Sequence, residues 1–355
     1  MANILDYMHW RGDLSFLSDR FNMIDNLIFS KISYIDFEDA VPSYPSTKKV
    51  LFKNAVNHVF ETHDKEKIVL GLIVPKSIIT LTDLAKDSKR FGQTYVSNYV
   101  NIIEKKTKTQ FAAMVFHLDE DTIYIAFRGT DDTLIGWQEN IDMLYTCPVE
   151  SQKLAVEYVN QIADLFPEAN IYLGGHSKGG NLANFATIYC RSDVQDRIIH
   201  CYTNDGQGMD KNYIDMEKYE RVKRRIVRII PELDVVGMIF DCFAGRTVIV
   251  KSNAKGVYQH DGFSWQINVT NFELAKELAP KARKMDKALT KLIKEVPKED
   301  KIVLGKNVYD FILASQLDTL LDCKKESIRL LKYLNKFSGR SKQLFLQLVS
   351  EFMFF

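Results

Sequence analysis

Gly175, Ser177 and Gly179 stand in the run Ile171-Tyr172-Leu173-Gly174-Gly175-His176-Ser177-Lys178-Gly179-Gly180-Asn181-Leu182-Ala183. A serine hydroxyl is a weak nucleophile until a neighbouring base takes its proton, and then it attacks acyl carbonyls. The G-x-S-x-G spacing, with apolar residues before it and a helical pattern at 181–190 after it, predicts a sharp strand-to-helix turn. Glycines on both sides leave room where side chains would collide. Such a turn lifts the hydroxyl to the carboxyl edge of a sheet. It also sets the following backbone N–H groups at a helix N-terminus, where a developing oxyanion is stabilised. The blander alternative is a glycine-rich turn in which Ser177 only caps the helix.

A second stretch points to the same chemistry. Ile123-Tyr124-Ile125-Ala126-Phe127 reads as a strand, and it runs into Arg128-Gly129-Thr130 and then Trp137-Gln138-Glu139-Asn140. A strand ending in Arg-Gly-Thr delivers a backbone N–H and a hydroxyl to the same sheet edge, as an oxyanion hole requires. The combination F-R-G-T, W-x-x-N and G-H-S-x-G resembles the fungal-type, or class 3, triacylglycerol lipases over about residues 105–265. It resembles more closely still a bacterial family of lipase-like α/β hydrolases, in which the resemblance extends to the N-terminal Tyr34-Ile35-Asp36-Phe37. The resemblance implies an α/β-hydrolase fold, with Ser177 as nucleophile and Thr130 as oxyanion-hole residue.

Acyl transfer by serine needs a base and a carboxylate to orient it, which follow the serine in the order acid, then histidine, in α/β hydrolases. His9, His58, His63 and His117 precede the serine; His176 adjoins it and is expected to point away; His200 falls inside the strand expected at 198–203. His260, in the polar loop Tyr258-Gln259-His260-Asp261-Gly262-Phe263, is left as the base. For the acid, the resemblance favours Asp234, which follows the strand expected at 226–230; the rival is Asp205, in Thr203-Asn204-Asp205-Gly206. The base loop follows Asp234 more closely than in typical fungal lipases.

Lys178 follows the nucleophile, so its backbone N–H can serve the oxyanion beside that of Thr130. Its side chain reads either as a charge favouring polar or anionic substrates or as an exposed lysine on the first helical turn. Phe263 and Trp265 either wall an acyl pocket or pack in the core. No phosphate loop, dinucleotide fingerprint or metal-ligand cluster is evident in the sequence, so no cofactor and no metal are expected.

The elements that must position these residues fall into three zones. Residues 1–45 form an N-terminal arm with a helical stretch at 14–32, closed by Val41-Pro42 and Tyr44-Pro45. Residues 46–270 alternate strands (111–118, 122–127, 170–174, 198–203, 226–230, 247–251) with helices (149–166, 181–190, 214–223). This is the pattern of a mostly parallel sheet flanked by helices. Residues 271–355 are helical, without a further strand expected. Segment 281–355 holds sixteen Lys/Arg against nine Asp/Glu, so it is +7 although the whole chain of 355 residues is +1. Its last residues, 344–355, place Leu344, Leu348, Phe352 and Phe355 at helical spacing. Two fates are open to this region: peripheral contact with an anionic membrane, or packing on the hydrolase.

Balanced charge, 26% charged and 46% hydrophobic residues exclude a disordered chain and a nucleic-acid polyelectrolyte. No transmembrane span or secretion signal stands out, and five widely spaced cysteines without a C-x-x-C pair read as reduced thiols, so the cytoplasm is the expected compartment, with the inner membrane surface as a peripheral site. The reading is a serine carboxylester hydrolase acting on a small-molecule or lipid ester. A thioesterase, peptidase or acyltransferase would use the same constellation, and an interaction protein with a vestigial site is the non-enzymatic alternative.

Overall fold

The structure, a computed structural model, describes residues 1–233, 236–241, 243–282, 295–325 and 342–343. Its frame is an eight-stranded sheet in which every strand lies beside the next in sequence: β1 (Val50–Leu51), β2 (Tyr95–Glu104), β3 (Thr109–His117), β4 (Thr122–Phe127), β5 (Asn170–His176), β6 (Ile198–Asn204), β7 (Ile226–Pro231) and β8 (Arg246–Val250). Strands β1 to β4 pair antiparallel and β4 to β8 pair parallel. This is the mostly parallel, helix-flanked sheet expected of an α/β hydrolase. Of the longer strands β2 carries the weakest sequence signal, because Ser97, Asn98 and Asn101 interrupt the apolar run expected of a buried strand.

Chain-ordered parallel strands have a geometric consequence. Right-handed crossovers that always step in one direction put their helices on one face of the sheet. That face carries α7 (Glu150–Leu165) and α8 (Lys178–Tyr189), packed on Ile123, Ile125, Phe127, Ile171 and Leu173. The alternate residues of the same strands, Tyr124, Ala126 and Tyr202, point to the opposite face. Something other than a crossover must cover them, and the N-terminal arm does.

The arm contains α1 (Ile4–Arg11) and α2 (Met23–Ile32), followed by α3 (Phe52–Thr62), α4 (Ser77–Asp87) and the short α5 (Lys89–Gly92). The single helix expected at 14–32 is instead shortened to α2. Asn22 opens it with a capping box, its side chain accepting from Asp25 N while Asp25 accepts from Asn22 N. Residues before it leave helical geometry because Arg90 takes their carbonyls: Nη1 donates to Leu14 O and Asp19 O, and Nη2 to Arg20 O. The same guanidinium grips Asp25 through two bonds of 2.7 and 2.6 Å, fully buried, and stacks on Phe16.

On the crossover side, α6 (Leu134–Asp142) meets the described part of the C-terminal region. Helix Lys298–Ser315 packs Leu304, Val308 and Ile312 on Leu134 and Ile135. The next helix, Leu320–Lys325, begins where Asp132 Oδ2 accepts from Leu321 N. The apolar stripe at 344–355 lies outside the described residues. Past residue 270, one two-residue strand (Asn271–Phe272) pairs with Ile267–Asn268, a departure from the purely helical expectation. Cys147, Cys190, Cys201 and Cys323 are free thiols. Among the described residues no helix is long and apolar enough to cross a membrane.

Candidate active site

Register brings three strand ends to one edge. Phe127 lies opposite Gly175 across β4 and β5, and His176 opposite Asn204 across β5 and β6. The residues that follow, Arg128 to Thr130, Ser177 and Asp205, therefore leave the sheet side by side. Ser177 takes φ 58° and ψ −130°, a conformation costly for a side-chain-bearing residue, and is held there by its N–H donating to Asn204 O at 3.0 Å. It is partly exposed between buried neighbours. The tightness of the turn explains its glycines: a Cβ on Gly179 would sit 2.2 Å from Phe127 O, and one on Gly175 2.3 Å from Gly179 C.

His260 lies in the short 3-10 turn Gly256–His260 after β8. Its Nδ1 stands 2.7 Å from Oδ2 of Asp205, a fully buried carboxylate whose Oδ1 accepts from Gly237 N at 3.0 Å. Among the described residues the carboxylate on His260 is thus that of Asp205, at the end of the strand next to the serine's own. Asp234, the acid that the resemblance favours, lies outside the described residues. Asp205 is itself at φ 47°, and its N–H is held by Ile229 O at 2.8 Å.

His176 was expected only to point away from the nucleophile. It faces the arm, and its Nε2 lies 2.7 Å from the carbonyl oxygen of His260, with the two rings 4.5 Å apart. A carbonyl only accepts, so Nε2 carries the proton and Nδ1, 3.4 Å from Tyr34 Oη, is the acceptor. Burial, together with the nearby Lys31 ammonium, holds the His176 pKa well below the usual range, so the ring is neutral. From α2, Lys31 adds a buried ammonium 3.4 Å from Asp261, and a Cβ on Gly262 would meet Leu27 and Lys31. The base loop is clamped by the arm. Trp265, fully buried, donates Nε1–H to Gln259 O at 2.8 Å, and Phe263 is buried as well; both are core residues, the second of the two fates open to them.

On the oxyanion side, Thr130 is buried and its Oγ1 accepts from Asn140 Nδ2 at 2.8 Å, so the Trp-x-x-Asn segment on α6 orients it. Lys178 departs from both of its expected side-chain fates. It is fully buried, ion-paired to Glu139 and donating to Gln110 O at 2.6 Å. Glu139 also accepts from Gln110 N and Ser151 N. Burial pulls the Lys178 pKa down while Glu139 raises it. The charge ties the elbow to α6 and offers nothing to a substrate.

Sequence reasoning missed a buried polar network beneath the elbow. Asn26 Nδ2 donates to Asn204 Oδ1 at 2.9 Å, Asn204 Nδ2 to Gly175 O at 3.0 Å and Ser30 Oγ at 3.1 Å, and Tyr124 Oη to Asn26 Oδ1 at 2.9 Å. The available signal was the presence of Asp25, Asn26, Ser30 and Lys31 on a helix whose other residues are apolar, since buried polar groups are retained where they find partners.

The chain is similar to solved fungal lipases. It shares 19% identity with the Rhizomucor miehei lipase propeptide complex over 48% of this chain and 58% of that one, with a TM-score of 0.32. With lipase II from Rhizopus niveus it shares 16% over 65% and 91%, with a TM-score of 0.35. With a triacylglycerol lipase from Penicillium expansum it shares 14% over 45% and 70%, with a TM-score of 0.32. It spans less than two thirds of the Rhizomucor chain. No curated protein matches. The Mbeg1-like family matches residues 85–310, more than half of the chain and including the serine elbow, Asp205 and His260, and the chain belongs to that family.

Proposed function

We propose that the chain is a serine carboxylester hydrolase that works through an acyl-enzyme. The observation that carries this reading is the 2.7 Å contact between His260 Nδ1 and Asp205 Oδ2 beside the strained turn that presents Ser177. In this reading His260 Nε2 takes the Ser177 proton as Oγ attacks the ester carbonyl. Asp205 keeps the proton on Nδ1 and stabilises the imidazolium, and the backbone N–H groups of Thr130 and Lys178 hold the oxyanion. His260 then protonates the leaving alcohol. It next deprotonates the water that attacks the acyl-enzyme, and Ser177 recovers its proton as the acid departs.

A fluorophosphonate probe, whose fluoride is displaced by the serine oxygen, tests the nucleophile. The wild-type protein is expected to be labelled at Ser177 and to hydrolyse p-nitrophenyl esters. Ser177→Ala should lose both while keeping its circular dichroism spectrum. Labelling that persists on another serine of that variant would remove the assignment. Thioesters, peptides and acyl acceptors other than water remain compatible with the same constellation, and a panel of acyl chain lengths and leaving groups separates them.

A further inference from the structure

The ring and the backbone of His260 are held by different residues. Asp205 takes the ring, with Oδ2 2.7 Å from Nδ1. His176 takes the backbone, its Nε2–H donating to His260 O at 2.7 Å. A bond to Nδ1 fixes one atom of the imidazole, and a bond to the carbonyl fixes the chain from which the imidazole hangs. Together they decide where Nε2 lies, and a general base must come within about 2.6–3.2 Å of the oxygen it deprotonates.

His176 can hold that carbonyl because its own ring is fixed. The residue is buried and the ring neutral, so it has one donor and one acceptor to place. Since Nε2 donates, Nδ1 accepts, and the Tyr34 hydroxyl, in the turn after α2, donates to it at 3.4 Å. Tyr34 in turn packs on the oxyanion loop. A Cβ at Gly129, one position before Thr130, would sit 2.1 Å from Tyr34 Oη and 2.4 Å from His176 O, and that closeness makes position 129 a glycine. A continuous path therefore runs from the Gly129 backbone through the Tyr34 hydroxyl and the His176 ring to the His260 carbonyl.

Resting on the ester-hydrolase reading, we propose that His176 is a positioning residue: oriented by Tyr34, it fixes the backbone of His260 and so ties the place of the base to the loop that carries Thr130. It touches neither substrate nor reacting atoms. Adjacent residues of one elbow then serve the two partners of proton transfer, Ser177 by presenting its hydroxyl and His176 by holding the loop of the base.

Met and Gln are alike in length and volume, and only Gln carries an N–H that reaches about as far as Nε2 does. His176→Met should lower kcat for p-nitrophenyl esters about 100-fold, the effect of misplacing a reacting group by about 1 Å, and leave KM within about twofold. His176→Gln should recover about tenfold of that loss. A residue that only fills space would show the reverse order, because an apolar side chain suits a buried site better than an amide. Gln no better than Met would overturn the proposal. Tyr34→Phe should lower kcat about tenfold in the wild-type background and have no further effect on His176→Met, because it acts through that ring. Equal losses in both backgrounds would count against the path.

The proton that His260 Nδ1 shares with Asp205 gives a readout without turnover. In the wild-type protein it should appear as a far-downfield proton resonance, which His176→Met broadens and His176→Gln keeps. An unchanged resonance in His176→Met would overturn the proposal. Should that variant fail to fold, Tyr34→Phe carries the same test, with a broadened resonance expected and an unchanged one counting against it. The expected resonances without any ester turnover by the wild-type protein would instead defeat the catalytic reading and leave the positioning of His260 standing.

Discussion

At the scale of residues, two aspartates compete in the sequence for one role, and the described structure sets one of them, Asp205, against His260. Both satisfy the order serine, acid, histidine. Which strand end faces the His260 loop depends on register between β5, β6 and β7, which no local pattern of residues states. Asp205→Asn should lower kcat by about 10,000-fold, as loss of the orienting carboxylate does elsewhere, by stabilising the wrong imidazole tautomer. Asp234→Asn should cost less than tenfold, and steady-state ester kinetics on the two variants decide between them. The serine elbow and the Arg-Gly-Thr strand end were legible because their glycines and spacing are demanded by local backbone geometry. The fate of Lys178 was not, because its partner Glu139 is 39 positions away in the chain.

At the scale of elements, α6 and α8 are joined by that buried ion pair. Truncating one partner leaves an uncompensated charge in the interior, which typically costs 3–5 kcal/mol. Lys178→Met should lose about that much in urea denaturation. Adding Glu139→Gln should recover part of it, because the buried charge is gone while an acceptor for Gln110 N–H remains. A double variant as unstable as the single one would show that packing, and not charge, sets the loss. Most strands and crossover helices were legible from periodicity. The arm was misread as one long helix because its termination is imposed by Arg90, far away in sequence, and not by a breaker within it.

At the scale of the whole molecule, two buried histidines set the response to acid. Burial and the nearby Lys49 charge push the His117 pKa down to about 4, and His176 is held well below its ordinary 6.5. The unfolded chain protonates both near 6.5, so below that pH it binds protons the folded state refuses. Stability should fall at about 1.4 kcal/mol per pH unit for each histidine. For His117 the loss should run from about pH 6.5 to 4. Urea denaturation at pH 7, 6 and 5 checks the slope, and His117→Gln should remove one histidine's share of it. An unchanged slope in that variant would mean that His117 does not titrate as its burial requires.

The chain-ordered sheet also sets a timetable for synthesis. Because each strand neighbours the one made just before it, the growing chain can extend the sheet in the order of translation, with no strand left waiting for a distant partner. The arm emerges first and meets α4, Phe91 and Phe116 as they follow, yet the part of it that covers β4, β5 and β6 stays exposed until those strands arrive. Ser177, the proposed nucleophile, is made long before residue 260. A nascent chain halted between β6 and that loop would hold the serine and its neighbouring carboxylate without the base that joins them, and reactivity would arrive only at the end of translation of the hydrolase body.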